Sequence, residues 1–235
     1  MPLQKPKLVL LPGLDGTGEL FCDFVSALSD AFDVTVVRYP IDACLPYTQL
    51  AEFVDAAVPA TEPFVLLAES YSTPLAIQYA ASGPANLKGL ILCAGFASSP
   101  VKGWMRSACF LMAPIVFRIP SPRFAVRFLL VGWKAPASLL ALVGRVKSLS
   151  HSGVPSDRLR QVIACDVREE LSRVLVPVLY IRARQDRLVR EKCVKEILEI
   201  HPETAVATVS GPHLILQREP RLTAEIVAKF IEQVG

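Results

Sequence analysis

The stretch Phe64-Val65-Leu66-Leu67-Ala68-Glu69-Ser70-Tyr71-Ser72-Thr73-Pro74-Leu75-Ala76 decides how this chain is read. Its apolar opening describes a strand buried on both faces, because no polar residue alternates within it. A polar residue and a serine follow, and a helix begins at once. A serine at a sharp strand-to-helix turn is the arrangement called a nucleophile elbow, G-x-S-x-G, which exposes the hydroxyl above a sheet. Small residues are needed two places before and two after the serine, since backbone passes close by. Here Ala68 and Ser72 stand in place of both glycines. The plainer reading is that Ser70 only caps the helix. The rest of the chain decides between the two.

Working outward, similar apolar runs recur at 8–11, 34–37, 89–93, 176–183 and 205–209. Helical patterns lie between them, near 19–32, 47–57, 71–82, 191–200 and 221–234. Strand and helix in alternation imply right-handed crossovers and a parallel sheet covered on both faces. The expected fold is therefore α/β, a doubly wound, mostly parallel sheet of about six strands. One interval breaks the rhythm. Residues 100–173 hold no convincing strand but contain both tryptophans, and Pro114, Pro120, Pro122 and Pro136 are expected to cut the interval into short helices. It reads as a small helical cap inserted into a core of 1–99 and 174–235, the whole forming a single domain.

The first apolar run meets Pro12-Gly13-Leu14-Asp15-Gly16-Thr17-Gly18. A glycine-rich loop after a first strand invites a phosphate site. However, the closing Lys-Ser/Thr of a phosphate loop is missing, Phe21 occupies the third glycine position of G-x-G-x-x-G, and Asp15 would repel an anion. The alternative is that the Leu14 N–H points at the space above Ser70 and, with the Tyr71 N–H, forms an oxyanion hole.

A serine nucleophile needs a base and an orienting acid. The run at 176–183 leads into Arg184-Gln185-Asp186, and the run at 205–209 into Ser210-Gly211-Pro212-His213. Both Asp186 and His213 thus fall just past a strand's carboxyl end. Competing residues have plainer roles. His201 closes a helix before Pro202, where a histidine complements the helix dipole. His151 lies in a Ser-rich loop of the insertion. Asp166, three residues before Glu169, resembles a helix N-cap pair, and Asp157 also reads as a helix start. If the sheet reverses its winding between the first and third strands, Leu14 and Ser70 face each other across the switch point, where ligands of doubly wound sheets bind.

In these residues the chain resembles the α/β-hydrolase superfamily over 8–99 and 174–230. Its order Ser70, Asp186, His213 is that family's order. The P-G-L-D-G-T-G loop is similar to that of small bacterial hydrolases and of the plant phytyl ester synthase group, although Pro12 stands where many members have His. The resemblance implies a sheet shortened from the family's eight strands, with Ser70 as nucleophile, His213 as base, Asp186 as orienting acid, and Leu14 and Tyr71 as oxyanion donors. It also implies a cofactor-free serine esterase acting on small-molecule carboxylic esters through an acyl-enzyme. Acyl transfer, thioester cleavage and biosynthetic methyl-ester hydrolysis are the alternatives within enzymes. A binding module that kept the fold but lost the chemistry is the alternative of another class.

Composition sets the remaining bounds. The chain has 235 residues, 52% of them hydrophobic and 20% charged, enough to bury a sizeable core. Net charge is +3 with no run of consecutive basic residues, so neither a nucleic-acid stripe nor a polybasic membrane patch is expected. No stretch reaches the roughly 20 apolar residues of a transmembrane helix. Lys5 and Lys7 precede an apolar run that meets Pro12-Gly13 with no cleavage site, so a cytoplasmic location is expected. Six scattered cysteines and three distant histidines argue against a disulfide scaffold and a metal site. Within the insertion, Trp104, Met105, Phe110 and Phe117 are expected to line a short-to-medium acyl pocket, with arginines such as Arg106 and Arg123 covering apolar surface with their stems.

Overall fold

Each of the six apolar runs forms a strand: β1 (Lys7–Leu11), β2 (Asp33–Val36), β3 (Phe64–Glu69), β4 (Leu87–Cys93), β5 (Val178–Ala183) and β6 (Ala205–Val209). The structure is a computed structural model and describes residues 5–28, 30–118, 122–149 and 153–235. The strands make one sheet in the order β2-β1-β3-β4-β5-β6, and every neighbouring pair is parallel. The winding reverses at β1, which has β2 on one side and β3 on the other. Leu11 pairs with Ala68 in register, so the loop after β1 and the turn after β3 emerge side by side.

Alternate side chains of the central strands feed two cores. Val9, Leu11, Leu66 and Leu92 face one layer with α2 (Tyr47–Ala57), α3 (Thr73–Ala81) and α9 (Glu191–Ile200). Leu8, Leu10, Leu67 and Ile91 face the other, with α1 (Cys22–Leu28) and α11 (Pro220–Val234). The expectation of strands buried on both faces holds for β3, which is buried throughout, and fails at the edges. β2 and β6 leave Asp33, Thr35 and Val206 in solvent, because an edge strand has only one neighbour to cover it.

Between β4 and the adjacent β5 the chain is helical: α4 (Trp104–Arg118), α5 (Arg123–Val126) running into a π-helical turn (Arg127–Val131), α6 (Ala137–Leu149), α7 (Gly153–Ala164) and α8 (Arg168–Ser172). Its two ends are tied together where Ser99 N–H donates to the Cys165 carbonyl and Val167 N–H to that of Ala97. Pro122 and Pro136 precede helices as expected, and Pro120 lies outside the described residues. Pro114 does not cut α4; it sits inside it. The carbonyl it strips of an intrahelical partner, that of Phe110, accepts instead from Arg160 Nε at 3.4 Å, which removes part of the penalty for an interior proline. A small third cluster of Val131, Leu139, Leu140, Val143 and Val146 seats α6 against Leu20 and Leu214.

The second core also depends on one missing side chain. A Cβ at Gly89 of β4 would lie 2.9 Å from the Phe230 ring of α11. Gly89→Val is therefore expected to destabilise the protein by about 1–3 kcal/mol through overpacking, measured as a lower midpoint in urea unfolding.

Candidate active site

At the end of β3 the backbone turns through a left-handed residue, Ser70 (φ 48°), and enters α3 by way of a short 3-10 turn (Ser70–Ser72). A non-glycine residue in that region is strained, and the strain persists only where neighbours hold it. Thr73 Oγ1 donates to the Ser70 carbonyl at 2.7 Å and receives the Phe96 N–H at 3.1 Å. Ser72, in a place where the motif has glycine, uses its hydroxyl: it donates to the Pro12 carbonyl and accepts from Tyr39 Oη at 2.7 Å. The turn that presents Ser70 is thereby tied to the loop after β1. Ala68 is fully buried between them.

Ser70 Oγ lies 2.9 Å from His213 Nε2, and His213 Nδ1 lies 2.7 Å from Asp186 Oδ2. Asp186 stands in the loop after β5, where its second oxygen accepts the N–H groups of Leu188 and Val189 at 2.8 and 2.9 Å. His213 follows β6. Both side chains are almost fully buried. The three residues meet although 143 positions separate the first from the last, and the donors on Asp186 leave one oxygen free to orient the imidazole.

The competing residues are elsewhere. Asp166 pairs with Arg168 and Asp157 with Arg160, on exposed surface. Asp166 is not the N-cap of α8, which is Val167, although its carboxylate does accept the Arg168 N–H. His201 caps α9 and bonds Thr204 at 3.0 Å. His151 lies outside the described residues.

Leu14 and Tyr71 flank Ser70 and His213 in a cavity of about 320 Å³. Its walls are apolar and come largely from the helical stretch: Phe117, Val126, Leu130, Val143, Val146 and Leu159, with Leu188 and Val189 from beside Asp186. Of the four aromatic and Met residues expected there, only Phe117 lines it. Trp104, Met105 and Phe110 are exposed instead. The helix α4 is apolar nearly all round, so its pattern could not say which side faces inward. A second, more open cleft of about 580 Å³ between α5 and α6 does not reach Ser70.

Three residues that pattern reading did not single out support this site. Arg158 of α7 is fully buried, and no carboxylate among the described residues pairs with it. It donates to the Leu14 carbonyl at 2.9 Å and the Pro40 carbonyl at 2.8 Å, and packs on the rings of Tyr39 and Tyr71. Gln161, one turn on, accepts from Tyr71 Oη at 2.7 Å. One face of α7 thus grips both residues that border Ser70. Gly16 must lack a side chain because its backbone is left-handed (φ 73°) and a Cβ would meet the Arg158 guanidinium.

The third is Glu69, beside Ser70, buried in the cavity wall. Burial raises its pKa to about 7, against the opposing pull of His213 and a hydrogen bond from Gln217 Nε2 at 3.2 Å. Glu69 Oε1 and Gln217 Oε1 are both buried acceptors without a donor. A proton on Glu69 supplies one. For His213, burial disfavours the charged ring, but the Asp186 carboxylate, with a smaller contribution from Glu69, outweighs it and raises the pKa above the ordinary histidine value.

A model of the alpha/beta hydrolase family matches residues 8–226. The chain belongs to that family. Among curated proteins it is 27% identical over 180 residues to phytyl ester synthase 1, chloroplastic, of Arabidopsis thaliana, a match covering 74% of this chain and 24% of the relative. The chain therefore spans about a quarter of that protein's length. Among solved structures, a membrane phospholipase A described as a bacterial virulence factor superposes with a TM-score of 0.79 at 20% identity, covering 98% of this chain and 79% of that one. An esterase from Exiguobacterium antarcticum superposes with the same TM-score at 16% identity, covering 97% and 92%. At these identities the likeness is one of fold. No helix of the described residues is long and apolar enough to cross a membrane.

The raised pKa of Glu69 makes stability depend on pH in a definite direction. The folded chain keeps a proton that the unfolded chain loses at the ordinary carboxyl value of 4.5, so stability falls as pH rises from there to about 7. Glu69→Gln removes that loss. The variant is expected to be more stable than the parent at pH 8, by up to about 3 kcal/mol, and to differ little at pH 5. Urea unfolding at the two pH values measures this; a gain of equal size at both would contradict it.

Proposed function

We propose that this alpha/beta hydrolase is a serine carboxylic-ester hydrolase that works through an acyl-enzyme on short to medium acyl esters, beneath a helical cap formed by 100–173. The observation that carries the reading is the run of hydrogen bonds from Ser70 Oγ through His213 to Asp186, opening into an apolar cavity. His213 Nε2 takes the Ser70 proton as Oγ attacks the ester carbonyl, and Asp186 stabilises the imidazolium by its bond to Nδ1. The developing oxyanion is held by the N–H groups of Leu14 and Tyr71. Collapse expels the alkoxide, which takes its proton from His213 and leaves an ester on Ser70. Water, deprotonated by the same histidine, then releases the acid and restores the serine.

Arg158 and Gln161 do not touch the reacting atoms in this scheme; they position the residues that hold the oxyanion. The cavity volume lies near the lower end of the roughly 300–1,000 Å³ usual for small-molecule sites, which favours a small acyl group. Acyl transfer to an alcohol is the second reading. It is favoured by the name of the Arabidopsis relative, an ester synthase, and would show as transesterified product when an alcohol competes with water.

Ser70→Ala tests the assignment: turnover of nitrophenyl esters and labelling by a fluorophosphonate probe should fall by several orders of magnitude, with the unfolding midpoint nearly unchanged. Near-normal activity in that variant would mean another nucleophile. Cavity size is tested by acyl length. From nitrophenyl acetate through butyrate and octanoate to palmitate, kcat/KM should climb severalfold per two carbons and then drop once the cavity is full. A profile flat in chain length would remove the acyl pocket from the reading.

A further inference from the structure

Helix α4 turns an apolar face outward. At about 100° per residue, Leu111, Trp104, Ile115, Met112 and Met105 fall within an arc of about 120°. All five are exposed, Trp104 by 82% and Leu111 by 71%. Ala113, fully buried, and Phe117, in the cavity wall, lie on the opposite side. Phe124 of α5 and Trp133 are exposed as well. An outward apolar stripe of five large side chains on one helix is unusual on a soluble domain and marks a docking face.

The stretch of chain that carries it is basic. Eight of the chain's 25 lysines and arginines fall between residues 100 and 156, and none of its 22 acidic residues does, which leaves the remainder at a net −5 (17 against 22). Among the described residues, Lys102 pairs with Glu196 and Arg145 with Glu19, both carboxylates from outside the stretch. Arg106 spends its guanidinium on the carbonyls of Ile163 and Ala164, and Arg127 on those of Trp133 and Ala135, which satisfies donors without cancelling charge. The basic residues are several positions apart in sequence, so no run marks them. The lack of consecutive basic residues, from which no polybasic membrane patch is expected, does not register basic residues spread along a stretch that lacks acids.

We propose that the outward face of α4, helped by the positive charge of the stretch 100–156, docks this protein on an anionic lipid bilayer, the helix lying in the interface. An apolar stripe carrying tryptophan and bordered by Lys and Arg is the composition of an interfacial helix: the stripe enters the acyl boundary, and the cations meet lipid phosphates. Two other occupants fit less well. A second copy of this chain would bring the same positive excess against itself. A nucleic acid would meet an arc of side chains that, beyond the lone indole N–H of Trp104, have nothing to hydrogen-bond. Because Phe117 of the same helix lines the cavity around Ser70, docking would bring that cavity close to the bilayer.

The test is sedimentation of the protein with vesicles, which needs no catalytic activity. Binding is expected to phosphatidylglycerol-containing vesicles and to be much weaker to pure phosphatidylcholine, and to fall as salt screens the charge. In a Trp133→Phe background, Trp104 fluorescence should shift to the blue on binding. Trp104→Ser with Leu111→Ser should weaken the partition by at least about tenfold. Arg123→Gln and Lys134→Gln should each weaken it by about fivefold and flatten the salt dependence. Both side chains of the first pair are exposed, so the unfolding midpoint and the hydrolysis of a water-soluble ester should not change. The proposal is overturned if anionic vesicles are not bound at low salt, if the serine variants bind as the parent does, or if double-stranded DNA is bound as tightly as the vesicles. It is also overturned if a dimer that the serine variants abolish is seen by light scattering in place of vesicle binding.

Discussion

The left-handed turn at Ser70 is the constraint around which this protein is arranged. A residue with a side chain enters that region at a cost of about 1–3 kcal/mol, and the surrounding groups must repay it. Thr73, Ser72 and Tyr39 do so with side-chain hydroxyls that link the turn to three different segments: Thr73 to the loop after β4, Ser72 to the loop after β1, and Tyr39, itself in the loop after β2, to Ser72. The same bonds that hold the turn therefore also hold the neighbouring loops at the switch point of the sheet. The parallel register of β1 with β3 places those loops level with one another, and β5 and β6 deliver Asp186 and His213 to the same edge.

Electrostatics around the turn are set by burial as much as by pairing. Asp186 accepts hydrogen bonds from two backbone N–H groups and from the ring of His213. Glu69, one residue before Ser70, has a single amide donor, and burial in the apolar wall raises its pKa to about 7. Two carboxyl groups close to one histidine thus differ in character because of their donors, a division of labour familiar wherever neighbouring acids sit in unlike surroundings.

The sheet was legible because strands buried on both faces leave near-continuous apolar runs. The helices at 47–57 and 191–200 match the structure at both ends because their amphipathic pattern stops where the helices do. Ser70, Asp186 and His213 could be picked out since each follows a strand in a recognisable order. What the pattern could not carry was anything decided by the seating of the helical stretch. Arg158 and Gln161 look like ordinary polar positions of α7 until that helix is laid across the loop after β1. Trp104 and Phe117 look alike on a helix with apolar residues on all sides, and only the fold separates the outward one from the inward one. Pro114 reads as a break because Arg160, which takes over the freed carbonyl, lies 46 positions away.

The grip of α7 has a consequence for how this protein can be altered. The stretch between β4 and β5 looks like a removable module, since it leaves and returns between adjacent strands. Yet excising it would strip a guanidinium from the Leu14 and Pro40 carbonyls and an amide from the Tyr71 hydroxyl, leaving polar groups at the heart of the site without partners. Grafting a foreign lid onto this core, a usual route to new substrate ranges, would have to carry over an arginine and a glutamine three residues apart on one helix. Without them the transplanted enzyme would inherit a cavity of the desired shape around a loosened centre.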